Sequence, residues 1–199
     1  MHDLDFRTWV SSARELAKQY DIQLSDNFDD VKFKTICKHR VQNVFASTWY
    51  SVICNQDKHP LLRTYKLIKS AYQMEPYLFL VQDVRYRNSI TKLRASSHAL
   101  QIERGRYTRP KTPVENRLCP VCKTVEDEEH FLLNCKINSN LRVDFTDKMG
   151  TREPMFNNLS DKEKFVFLLT NDDPYILSWL GKFLYQSFHI HNEYRAAIS

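Results

Sequence analysis

A chain of 199 residues can bury a sizeable core, as one domain or two small ones. Its 42% hydrophobic and 13% aromatic content is ordinary for a globular protein, but three glycines are too few for a turn-rich β sandwich or a phosphate-cradling glycine loop, so helix is favoured from the outset. The net charge of +5 is mild yet concentrated: from Arg85 to Arg117, nine basic residues stand against two acids, and the rest of the chain is slightly acidic.

Met-His-Asp-Leu-Asp at the start shows no basic stretch leading into an apolar one, and no run is long enough to cross a bilayer. An intracellular protein, nuclear or cytoplasmic and without a membrane partner, is expected. Trp9, Val10, Ala13, Leu16, Ala17 and Tyr20 recur at three- and four-residue steps and predict a helix over 6–20. A loop over 23–27 follows. Val31, Phe33, Ile36, Val41, Val44, Phe45, Trp49 and Val52 then predict a longer helix reaching Cys54, closed by the polar stretch 55–60. Shorter helices are expected over 62–72 and 76–84. A clearer one spans 89–104, with Ile90, Leu93, Ser97 and Leu100 on one face and Arg87, Arg94, His98 and Gln101 forming a polar stripe that is free to point outward. Gly105 fits a helix stop. Residues 106–113 read as an extended basic linker, because each proline pushes its predecessor out of the helical region. Farther on, Ser160 and Glu163 make a capping box for a helix to about Leu169. Asp172-Asp173-Pro174 then opens a terminal helix carrying Ile176, Trp179, Leu180, Phe183, Ser187 and Phe188 at helical spacing. The expected fold is all-α, a helical bundle-like domain with an embedded knuckle. Its segments are an N-terminal helical region (1–60), a helical connector with the basic linker (61–115), the knuckle (116–140) and a C-terminal helical region (141–199).

The chemistry sits in one constellation: Cys119, Cys122, His130 and Cys135 form C-x2-C-x7-H-x4-C. Three soft thiolates and one imidazole suit a tetrahedral zinc ion. With every position filled by protein, no place remains for an activated water, so one structural zinc is expected, in a protein that is not an enzyme and has no small-molecule substrate. Thr124 followed by Asp127 suggests a helix starting just before His130. On an ideal helix the five-residue offset would rotate Cys135 by about 500°, roughly 140° net, from His130, so the helix must loosen or end near Asn134. Other candidates read as structural. Glu126, Asp127, Glu128 and Glu129 complement a helix dipole. Cys37 and Cys54 have no ligand pair nearby, and Asp172 and Asp173 cap a helix. His189 and His191, two residues apart, project to different sides of their helix and are expected on the surface.

The runs Leu62-Arg63-Thr64-Tyr65-Lys66, Ile90-Thr91-Lys92-Leu93-Arg94, Ile102-Glu103-Arg104-Gly105-Arg106-Tyr107, Leu118-Cys119-Pro120-Val121-Cys122 and Glu129-His130-Phe131-Leu132-Leu133-Asn134-Cys135 together resemble the C-terminal region of non-LTR (LINE-type) retrotransposon reverse transcriptase polyproteins, over most of residues 44–191. The resemblance implies that Cys119, Cys122, His130 and Cys135 are zinc ligands and that the segment contacts RNA or DNA during target-primed reverse transcription, with a parent reverse transcriptase or another protein as partner. The polymerase's paired-aspartate motif has no match here, nor is there a recognisable nuclease set of carboxylates and lysine. Charge clustering points the same way: Arg87, Arg94, His98, Arg104, Arg106, Arg109, Lys111 and Arg117 would meet phosphates while Tyr107 stacks on unpaired bases. The alternative is a zinc-stapled helical scaffold or protein-interaction domain that binds no nucleic acid.

Overall fold

The computed structural model describes residues 14–23, 30–54 and 62–198. Apart from one isolated antiparallel bridge, Leu118 to Val125, these residues contain no strand, and the protein is all-α as expected. The chain divides into two compact units, Met1–Lys58 and His59–Ser199. All of 61–115, 116–140 and 141–199 lie within the second.

In the first unit, residues 14–19 are helical; Trp9, Val10 and Ala13 of the expected stripe lie outside the described residues. This helix ends with Asp21 in the left-handed region at φ 50°. Ile22 N–H donates to the Ala17 carbonyl at 2.8 Å and Asp21 N–H to that of Lys18 at 3.2 Å, a pairing that satisfies orphan carbonyls at a helix end. Helix α1 runs Asp30–Cys54, and the Tyr20 ring stacks on its Phe45 at 6.4 Å.

The second unit comprises α2 (Arg63–Ile68), α3 (Tyr77–Leu80), α4 (Val84–Arg94), α5 (Gln101–Arg104), α6 (Ser139–Arg152), α7 (Asp161–Thr170) and α8 (Pro174–Ile198). Its core joins Ile90 and Leu93 of α4, Leu168 and Leu169 of α7, and Ile176, Leu180 and Leu184 of α8 to Phe131 and Leu132 of the knuckle. Both expected caps are present. Ser160 and Glu163 complete the capping box of α7, and Asp173 Oδ1 accepts the N–H groups of Tyr175 and Ile176 at 2.8 and 3.1 Å, with Pro174 at the first position of α8. Helix α4 lies against α8, where Gly181 permits close approach: a Cβ there would stand 2.6 Å from Tyr86 Cβ.

Two expectations are corrected. The helix expected over 89–104 is two helices. Helix α4 starts earlier, where Asp83 accepts the Arg85 N–H at 2.8 Å, and it ends because Ser96 adopts φ 52° and Ser97 N–H closes onto the Lys92 carbonyl at 2.8 Å. Residues 105–112 are not an extended linker but a closed loop. Thr112 N–H donates to the Gly105 carbonyl at 3.0 Å and to Thr108 Oγ1 at 2.8 Å. Gly105 has no positive φ; it is needed because a Cβ would sit 2.7 Å from the Arg117 side chain that crosses it.

Candidate metal centre

The turn from Cys119 to Thr124 is built by its backbone. Cys119 N–H donates to the Thr124 carbonyl at 2.8 Å, Lys123 N–H returns to the Cys119 carbonyl at 3.0 Å, and Lys123 takes φ 59°. This curl brings the Cys122 N–H to 3.5 Å from Cys119 Sγ. Asp127 Oδ1 then accepts the His130 N–H at 2.8 Å, starting a helical turn. The turn is a π turn, His130–Asn134, closed by Cys135 N–H onto the His130 carbonyl at 2.8 Å. The five-residue offset that would misalign two ligands on an α-helix is the span of one π turn, so the expected loosening takes this form.

The Sγ atoms of Cys119, Cys122 and Cys135 and a ring nitrogen of His130 all lie within 4.8 Å of one another, and the four residues can hold a metal ion. Several observations fit that role. His130 Nε2 is buried with no hydrogen-bond partner, while Nδ1 sits 3.2 Å from Thr124 Oγ1. With Nδ1–H donating to Thr124, Nε2 presents its lone pair. Burial lowers the His130 pKa, which keeps the imidazole neutral and able to ligate. Burial, reinforced by the Cys119 thiol, pushes Cys135 up to about 12, so its thiol is protonated at neutral pH unless a cation displaces the proton. Lys136 N–H donates to Cys122 Sγ at 3.3 Å, which favours the thiolate once formed.

Neighbouring elements clamp this turn. Arg142 of α6 donates to the carbonyls of Leu132 at 3.0 Å and Cys135 at 2.9 Å. His191 of α8 is 1% exposed and places Nε2 3.4 Å from Cys135 Sγ, with its ring edge-on to Phe131 at 4.8 Å. That corrects the surface expectation for His191; His189 is exposed, 3.3 Å from Glu193. Sequence did carry a signal: continuing the buried stripe Ile176, Leu180, Phe183, Ser187 by four residues lands on His191, and by four more on Arg195.

The acidic run is also corrected. Only Asp127 acts as a helix-start acceptor. Glu126, in the short coil after Val125, and Glu128, in the helical turn that Asp127 starts, both turn inward. Glu126, 0% exposed, accepts the Gln101 N–H at 2.7 Å and Arg195 at 2.5 Å, and lies 3.5 Å from His191 Nδ1. Glu128 accepts Arg63 at 2.6 Å, Ser96 at 2.7 Å and His98 Nε2 at 3.0 Å. Burial opposes its ionisation, but the His98 hydrogen bond and the Arg63 charge outweigh burial and hold Glu128 at about 2.

The basic cluster is split. Arg94 is buried on the Leu169 carbonyl and Glu75, His98 on Glu128. Arg117 donates to the carbonyls of Ile102 at 2.7 Å and Thr112 at 2.9 Å, Arg106 stands 3.1 Å from Glu103, and half-buried Arg87 donates to the Val81 carbonyl at 3.1 Å. The stripe expected to point outward thus meets inward-turned acids and carbonyl groups. Arg104, Tyr107, Arg109 and Lys111 are exposed, Tyr107 at 72%. Cys37, in the first unit, is half-buried. No helix of the described residues is long and apolar enough to cross a membrane. Compared with protein-family models, curated proteins and solved structures, the chain gave no match in any of the three.

Proposed function

We propose that this chain is a non-catalytic nucleic-acid-binding module, organised by one structural zinc ion, that contacts RNA or DNA through Arg104, Tyr107, Arg109 and Lys111. The observation that carries the reading is their placement: three exposed cations and an exposed aromatic ring on or beside one closed loop, clamped by Arg117 next to the Cys/His set. Cations supply phosphate contacts and an aromatic face supplies base stacking. Zinc is favoured over other metals by the donor set and its spacing. Two sulfurs each about 2.3 Å from a tetrahedral zinc lie roughly 3.8 Å apart, and the Cys119 and Cys135 sulfurs are separated by 3.8 Å. Three thiolates, a neutral imidazole and a divalent ion leave one net negative charge, which the Arg142 guanidinium and an N–H from His191 offset. When bound, the ion fixes the turn and gives no open coordination position. Resemblance to retrotransposon reverse transcriptase tails supports the same reading, with intracellular RNA or DNA as partner.

A second reading, a zinc-stapled scaffold, draws on the inward engagement of Arg87, Arg94, His98, Arg106 and Arg117. Salt dependence separates the two. Binding of a fluorescent single-stranded RNA, titrated with salt, should show a log–log slope that falls by roughly two to three units in the Arg104→Ala, Arg109→Ala, Lys111→Ala variant, at about 0.7–0.9 per lost phosphate contact. Unchanged affinity and slope would return the loop to a solvated surface and favour the scaffold.

A further inference from the structure

A cavity of 490 Å³ opens beside the loop, between the 96–100 turn, α5 and the last turns of α8. Its volume is in the range of small-molecule sites. Leu100 and Phe188 give it an apolar lining. The His98 side chain is 1% exposed; Nε2 is committed to Glu128, and the buried Nδ1 has no hydrogen-bond partner. Lys92, Arg104 and Tyr107, all exposed, also line the cavity.

We propose that this cavity receives a single unpaired nucleotide, a proposal that rests on the nucleic-acid reading above and adds a base-holding pocket to it. Apolar walls suit the faces of an unstacked base. Tyr107 offers a ring to cover the base, while Lys92 and Arg104 offer charge to the phosphate. The apolar lining favours a nucleotide over an acidic peptide, because a carboxylate would have no use for Leu100 and Phe188.

His98 is tied into the buried Glu128 network, so replacing it risks the fold; the test instead plugs the mouth at the exposed, cavity-lining Ser97. Adenosine monophosphate is titrated into the metal-loaded full chain and followed by amide NMR shifts, with ribose 5-phosphate as the anion-only probe. The expected result is nucleotide-dependent shifts at Ser97, Tyr107 and Asn192, with ribose 5-phosphate at least about tenfold weaker. Ser97→Trp should abolish the nucleotide shifts and weaken single-stranded RNA binding while leaving the salt slope unchanged, because a stacked base releases no counterion. Arg109→Ala, Lys111→Ala should lower the slope yet keep the nucleotide shifts. Equal binding of nucleotide and ribose 5-phosphate would overturn the base pocket, as would shifts that persist in a folded Ser97→Trp chain, or no shifts at all. Nucleotide shifts abolished by Ser97→Trp, in a chain that binds no RNA, would uphold the pocket and reject the nucleic-acid reading of the loop.

Discussion

Cys135 holds the most consequential side chain in the second unit, because it is a fully buried thiol that meets a second thiol and an imidazole from α8, on a residue whose own N–H closes the π turn. Cys135→Ser removes the metal site, and metal affinity in such a site is folding free energy. We expect the loss of roughly 4 kcal/mol or more of stability, against a small change for Cys37→Ser; equal shifts in thermal unfolding would contradict the ligand assignment. Glu126 gives a pH prediction. Burial opposes its charge, but His191 and Arg195 outweigh burial and lower its pKa below the ordinary 4.5. A lowered folded-state pKa means stabilisation that is present above 4.5 and lost as pH falls through the folded value. Glu126→Gln should therefore cost about 3 kcal/mol at pH 7, because the buried Arg195 guanidinium loses its carboxylate, and the gap to wild type should narrow in melts taken below pH 4.5. A gap that stays constant with pH would remove Glu126 from this role. The four ligands were legible in the sequence because donor chemistry and spacing alone define them. Glu126, Glu128, Arg94 and His98 were not, because whether a charged side chain is buried depends on partners far along the chain: Arg63 is 65 residues from Glu128, and Arg195 is 69 from Glu126.

Among the elements, α7 and α8 were readable because each announces its start with side-chain chemistry, a capping box in one and Asp-Pro in the other. Helix α6 was not: only Phe145 and Met149, one turn apart, are buried, and Asp144, Asp147 and Gly150 dilute the pattern. The break after Arg94 was hidden for another reason, since the residue at φ 52° is Ser96 rather than the glycine that usually marks such an end. Glycine placement gives the prediction at this scale. In an exposed helix Gly→Ala gains up to about 1 kcal/mol. At Gly150 the new methyl would meet only the end of the exposed Asn157 amide, so Gly150→Ala should be neutral or stabilising. Gly181→Ala would instead press on Tyr86 Cβ and its carbonyl oxygen at 2.6 and 3.1 Å, forcing α4 away from α8. A net loss of about 1–3 kcal/mol is expected. Thermal melts of the two variants check this, and a stabilising Gly181→Ala would mean the α4–α8 contact is looser than described.

At the scale of the whole second unit, the metal site is a junction between segments distant in sequence. Arg142 ties α6 to the π turn, His191 lays α8 on Cys135 and Phe131, and Glu126 joins the start of α5 to Arg195 near the end of α8. The apolar core reaches into the same turn through Phe131 and Leu132, but most of it, Ile90, Leu93, Leu168, Leu169, Ile176 and Leu180 among others, lies on α4, α7 and α8. Removing the ion should therefore act unevenly. Without it the buried Cys119 and Cys135 thiols regain protons, the turn loses its cross-link, and the groups resting on Cys135 lose their seat. Treatment with a strong chelator should raise amide hydrogen exchange first over 118–137 and over 188–195 of α8, while α7 and the first turns of α8, capped by Ser160 and Asp173, keep their protection. The described amides of the first unit serve as an internal reference, because no metal-site residue comes from it. Exchange that rises evenly over the whole of His59–Ser199 would show that the unit opens as one body and that the junction has no local character. No change on chelation would mean that the four-residue set holds no metal in solution, and the stability assigned to Cys135 would then have to come from packing alone.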